Sequence, residues 1–187
     1  MKKVLPTIIG LALCVFSNVA SAATFHVDKA SSSISVKAKA TGGGFTGTLS
    51  DFQADIQGDA STLKPSSVKV TWKFSDLDTK EAKRNKKMLS WLETGTHPNG
   101  EFTLTKTFEK TVLGKKQTYA VGKIKIHGIT KQIVFPITLT KNGKSLTITG
   151  QGSLNTTDFN LPIIRIAFIA TVKPSIVIDF TLKGSVK

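Results

Sequence analysis

Three histidines, His26, His97 and His127, are the side chains best suited to bind a metal or move a proton near neutral pH. They are far apart in sequence, and no His-x-His or His-x-x-x-His pair occurs. The single cysteine, Cys14, falls in the leader described below. The usual ligand spacings are therefore missing and no metal site is expected, although one assembled in space stays open. No serine lies in Gly-x-Ser-x-Gly. The glycine-rich "TGGGFTG" (Thr41 to Gly47) lacks the Lys-Ser/Thr ending of a phosphate loop and precedes no helix, so it reads as a flexible connection or strand bulge. "THPNG" (Thr96 to Gly100) is turn chemistry, with His97 as a solvated turn histidine. Asp158 in "TTDFNLP" suits an Asx turn or a rim loop. No acid–base pair emerges, so no catalytic residue is assigned and no enzyme is expected.

The corner "KIKIHGITKQIVFPITL" (Lys123 to Leu139) is the remaining focus. Gly128 can take positive φ, and the His127 imidazole can bond backbone or line a rim. Lys131 reads as solvated. A corner of this kind needs long strands on either side, and the chain supplies them.

Lys2 and Lys3, an apolar run from Val4 to Val15 and Ala20-Ser21-Ala22 form a secretory signal peptide, with cleavage expected after Ala22. Leu13 stands where a lipobox needs a small residue before Cys14, so a lipid anchor is not expected. The expected organisation is residues 1–22 as leader and 23–187 as one domain, in a periplasmic protein stabilised without disulfides. The chain has 26 Lys and Arg against 12 Asp and Glu, a field that attracts anionic headgroups, other polyanions or an acidic protein. Only "KEAKRNKK" (Lys80 to Lys87) is a cluster; the other lysines suit outward strand faces. No nucleic-acid partner is expected.

Period-two alternation dominates the rest. One face of each run is apolar: Ile34, Val36 and Ala38; Phe52, Ala54 and Ile56; Val68, Val70, Trp72 and Phe74; Phe102, Leu104 and Phe108. Ile124 and Ile126 enter the corner; Ile133, Phe135, Ile137 and Leu139 leave it. Lys141-Asn142-Gly143-Lys144 predicts a two-residue hairpin turn, after which Leu146, Ile148, Gly150, Gly152 and Leu154 return. Ile176, Ile178, Phe180 and Leu182 close the series. These are about eight strands, at the spacing of an antiparallel barrel or sandwich. Pro136 must mark an edge, a bulge or a bend. Gly150 and Gly152 suggest curvature or close backbone approach. "DTKEAKRNKKMLSWLETG" predicts one helix from about Thr79 to Leu92, N-capped by Asp78 with Glu81 three residues on, and ended by Gly95 and Pro98. Small residues facing inward among aromatics can leave a tunnel or fill it.

The corner motif resembles "L-T-I-H-G-V-T-K-P-V" of the YceI-like family of bacterial periplasmic proteins. "TFHVDKASSSISVKAKA", "KRNKKMLSWLETGTHPNGEFTLT" and "TTDFNL" resemble further family segments in the same order, across nearly the whole chain after the leader. Three positions depart: Ser32 replaces a histidine, Asn85 an aspartate and Asn160 a glycine. The resemblance implies an all-β fold, an eight-stranded antiparallel lipocalin-like barrel with one amphipathic helix inserted mid-chain. It implies an enclosed polyisoprenoid, quinone-like or other long-chain lipid as ligand, with no cofactor. The residues expected to meet that ligand are Phe45, Trp72, Phe74, Met88, Leu89, Trp91, Phe102, Leu104, Ile126, Phe135, Phe159 and Phe180. Arg84, His127 and Gly128 are expected in rim or structural roles. Peripheral contact with an anionic membrane surface is a further expected partnership. A solid-cored protein docking on such a surface is the rival reading, and the oligomeric state stays open, a homodimer included.

Overall fold

The computed structural model describes residues 22–59, 61–166 and 170–186; the expected leader, Cys14 included, lies outside them except for Ala22. The chain is a meander. β1 (Ala22–Val27) and β2 (Ser33–Ala40) form one stave interrupted by a short 3-10 turn, Lys29–Ser31. β3 (Gly43–Leu49) and β4 (Gln53–Asp59) form a second, and β5 (Pro65–Lys73) and β6 (Leu77–Asp78) a third. Helix α1 (Ala82–Trp91) follows. Four long strands come next: β7 (Asn99–Val112), β8 (Lys115–Ile126), β9 (Ile129–Asn142) and β10 (Ser145–Asn155). A 3-10 turn (Thr156–Phe159) and the two-residue β11 (Arg165–Ile166) lead to β12 (Ala170–Val186). Each stave pairs antiparallel with its sequence neighbours, and β12 returns to β1 and β2, with Phe25 opposite Val186 and Val36 opposite Ile178. The result is a closed eight-stranded antiparallel barrel, the one of the two architectures left open by the alternating runs that the family resemblance implies.

The inward face follows from the alternation, except on β7, where a bulge between Leu104 and Lys106 breaks the parity and leaves Phe108 exposed, stacked on Tyr119 and away from the cavity. Ile176, Ile178, Phe180 and Leu182 of β12 face the interior. On the outer face Asp179 takes a 2.8 Å ion pair from Lys37 of β2. At the end holding the β7–β8 and β9–β10 turns, the barrel is solid: Phe25, Phe52 and Leu146 are buried together. The opposite end carries α1, the β2–β3 and β8–β9 turns and the connection from β10 to β12.

Several local expectations change. "TGGGFTG" is no loose connection: only Thr41-Gly42 turn, and Gly43–Leu49 is β3. The β2 partner supplies the order that the glycines lack. Glu81, not Asp78, is the N-cap of α1, its carboxylate accepting from the Lys83 N–H at 2.9 Å. Lys80 takes a φ of +64°, which swings the chain so that Asp78 caps from the side, through Asn85. The helix ends before Gly95: Glu93, at φ +50°, takes the left-handed position. In the β9–β10 hairpin Asn142 pairs with Ser145, so Gly143-Lys144 is the turn centre and Gly143 alone takes positive φ, one residue later than Asn-Gly implies. Pro136 stands where the β9–β10 ladder stops, at Ile137 opposite Gly150. Lacking an N–H, proline belongs where a ladder ends.

Candidate functional site

Inside the barrel is a cavity of about 780 Å³, within the range of small-molecule sites. Aromatic rings and glycines together keep it open. A β-carbon on Gly100 would collide with the Trp72 indole, and one on Gly122 with the Phe102 ring. At these positions the bare backbone lets a ring lie along the wall instead of projecting across the lumen. Phe135 meets Phe102 with ring centroids 5.6 Å apart and Phe180 at 5.8 Å, forming a belt around the middle.

Of the residues singled out from sequence, Phe45, Trp72, Phe74, Met88, Trp91, Phe102, Leu104, Ile126, Phe135, Phe159 and Phe180 line this cavity. Leu89 does not; it packs against the buried cluster of Phe74, Leu92 and Phe159 behind the wall. The wall also uses Val36, Val70, Ile124, Ile133, Ile148 and Ile178, among others. Their signal is present as the same parity in the alternating runs, from which the expected set takes the aromatics and, of the aliphatics, only Leu104 and Ile126. The stretch Pro162 to Arg165 and the pair Lys173-Pro174 also reach the cavity. No periodicity marks them: Pro162 to Arg165 fall in the connection and the two-residue β11, and Lys173-Pro174 lie in β12 where its register with β2 shifts.

The mouth is cationic. Lys83, Arg84 and Lys87 of α1 line it on one side, and Arg165 and Lys173 on another. Glu81 is the one acidic residue among the described lining residues. Arg84 is held in place: Nε donates to Thr79 Oγ1 at 2.9 Å and an Nη to the Thr79 carbonyl at 2.6 Å. Its guanidinium lies 4.8 Å from the centroid of the Phe45 ring, a cation–π contact across the opening. Thr79 in turn donates to Asn85 Oδ1 at 2.6 Å, and Asn85 Nδ2 donates to Asp78 Oδ1 at 2.8 Å. The Asn85 bond, with the Lys80 N–H and ammonium, lowers the Asp78 carboxyl to about 2. Asn85, one of the departures noted above, is thus spent on anchoring α1. Trp91 fastens the far end of the helix, its indole N–H donating to the Pro162 carbonyl at 2.8 Å.

The corner is a tight hairpin. Ile126 pairs with Ile129, and both central residues, His127 at φ +50° and Gly128 at +74°, have the positive φ of a type I′ turn. His127 Nδ1 lies 3.0 Å from the Phe159 carbonyl oxygen, and neither His127 nor Gly128 lines the cavity. Lys131 is exposed. Asp158 is exposed in its 3-10 turn, where Asn155, not Asp158, makes the Asx-type cap. His97 is not a freely solvated turn residue: it is half-buried, edge-on to His127 with centroids 4.7 Å apart.

The YceI-like domain matches residues 25–184. A UPF0312 protein of Pseudomonas savastanoi pv. phaseolicola is 29% identical over 153 residues, covering 76% of this chain and 78% of the relative. A UPF0312 protein of Pseudomonas putida strain F1 is 26% identical over 171 residues, covering 88% of each. Burkholderia cenocepacia BcnA superposes with a TM-score of 0.73 at 21% identity, over 86% of this chain and all of that one. The structure described as a polyisoprenoid binding domain from Saccharophagus degradans superposes with a TM-score of 0.65 at 11% identity, over 88% of this chain and 98% of that one. Sharing both the sequence pattern and the barrel, this chain belongs to the YceI-like family.

Proposed function

We propose that this protein is a periplasmic carrier that holds the long apolar chain of a polyisoprenoid, quinone-like or similar lipid inside its barrel. The observation that carries this reading is the cavity of about 780 Å³ walled by hydrocarbon side chains and open at one end. A solid-cored docking protein would have no such space. Each methylene transferred from water into such a lumen contributes about 0.8 kcal/mol, so a long tail needs no charged anchor to bind. The polyisoprenoid binding domain of Saccharophagus degradans, with the same fold, supports the ligand class. Lumen side chains of this kind bind and exclude water; they break no bonds. Loading from an anionic membrane surface fits the ring of Lys83, Arg84, Lys87, Arg165 and Lys173 at the mouth.

Organic extraction of the purified protein, with mass analysis of the extract, tests the reading. One long-chain lipid per barrel is expected, and delipidated protein should take up a long-tailed ubiquinone offered in vesicles, faster from anionic than from neutral ones. A protein that carries no lipid and takes up none would overturn it. Uptake indifferent to vesicle charge and salt would remove only the membrane-loading part.

A further inference from the structure

We propose that Glu93, His97 and His127 form a binding site for a divalent transition-metal ion, outside the lumen and beside its mouth. One potential ligand atom from each of these residues lies within 4.8 Å of the other two. Two imidazoles and a carboxylate are a ligand set that zinc accepts, with a fourth position left for water.

His127 makes the strongest case. The Phe159 carbonyl can only accept, so the 3.0 Å contact requires the proton on Nδ1. That is the outer contact by which metal-binding histidines are commonly oriented, and it leaves Nε2 as the free lone pair. Nε2 is buried, has no hydrogen bond, and lies 3.2 Å from Glu93 Oε2. The two atoms are close enough to attract through charge but are not aligned for a hydrogen bond. Two lone pairs so close repel unless a cation, either a proton or a metal ion, stands between them. Zinc bonds of 2.0–2.2 Å in a tetrahedron place neighbouring ligand atoms about 3.3–3.6 Å apart. The Glu93–His127 pair, at 3.2 Å, is close to the short end of that spacing. Glu93, whose side chain is 64% exposed, is free to rotate toward a bound ion, while the distance between the two imidazoles depends on the His97 ring.

The backbone brings the third ligand. The His97 N–H donates to the Glu93 carbonyl at 2.9 Å, which folds the two residues onto one turn after α1. His97 reaches His127 because Gly128 has no side chain: a β-carbon there would lie 3.0 Å from His97 Cε1. A bound ion would tie the segment after α1 to the β8–β9 turn and, through Phe159, to the 3-10 turn following β10.

The test is a zinc titration of untagged, chelator-stripped full chain, followed by calorimetry or competition with a chromophoric chelator. One ion per chain is expected. His97→Ala and Glu93→Gln should each weaken binding at least about tenfold, while His26→Ala, an exposed histidine on β1, should leave it unchanged. These two variants spare His127, whose turn the barrel needs for folding. X-ray absorption at the zinc edge should show two nitrogen-type ligands from imidazole. Absence of stoichiometric binding, or equal losses in His26→Ala, would overturn the site and leave the Glu93–His127 contact as a pairing of two side chains with a proton between them.

Discussion

The ring of Phe180 lies across the backbone of Gly150, its partner on β10, so closely that a β-carbon on Gly150 would be 2.5 Å from Cζ. The ring is also edge-on to Phe135 and cannot retreat without moving that side chain. Gly150→Ala should therefore cost about 1–3 kcal/mol, the usual penalty of overpacking a filled site. Gly152→Ala should be close to neutral, because its β-carbon would make an ordinary 3.5 Å contact with Phe135. Urea unfolding of both variants checks this, and equal losses would contradict it.

Gly152 offers the complementary experiment. It lines the cavity, where its β-carbon would rest against Phe135 and a longer side chain would take up lumen volume. Gly152→Leu should still fold, at a cost of about 1–3 kcal/mol, yet carry less lipid. If extraction recovers as much lipid from this variant as from the parent, the lipid is not held in the lumen.

Phe159 lines the cavity and is also packed into the core. It is 2% exposed and packs with Phe74, Leu92 and Leu161 where the connection after β10 seals the barrel. Phe159→Ala should cost about 3–5 kcal/mol. Leu104, half-buried and facing the cavity, already lacks neighbours on one side, so Leu104→Ala should cost less than the ~2 kcal/mol at the low end for core leucines. Chemical denaturation of lipid-free protein gives both values.

The Asp78 carboxyl is lowered from 3.8 to about 2, chiefly by the Asn85 side chain. A depressed folded-state value means that the ionised group stabilises the native state above its unfolded value, and that this contribution fades as pH falls through the folded one. The stability gap between the parent and Asp78→Asn should be constant above about pH 5 and narrow as pH drops from about 4 to about 2. A gap that does not change over that interval would show that Asp78 is not ionised in this network.

How much of this was legible beforehand depends on the range of the interaction. The eight staves and their inward faces were readable because Ile176, Ile178, Phe180 and Leu182, like their counterparts, repeat with the period of a strand. β3 was not, since its glycines carry no such pattern and its order comes from β2 across the ladder. The true cap of α1 depended on a left-handed Lys80, which nothing in the residue type announces. Asn160 is the reverse case: it replaces a family glycine at φ +57°, and asparagine is among the few other residues that accept that conformation. Whether the interior was hollow turned on how the Trp72, Phe102 and Phe180 rings lie against glycines, which pattern alone does not encode. The Glu93–His97 spacing was visible in the chain, but His127 joins them only through the fold.

The meander has a kinetic corollary. Seven of the eight seams join staves adjacent along the chain and can zip as local hairpins. The eighth, between β12 and the β1–β2 stave, brings Phe25 to Val186 and Val36 to Ile178. That closure carries the largest loop entropy and should be the late, slow event in assembly. Until it forms, the apolar inner faces of every stave stand open to water and to other chains, so the folding intermediate, not the finished cylinder, is the species a chaperone would need to shield.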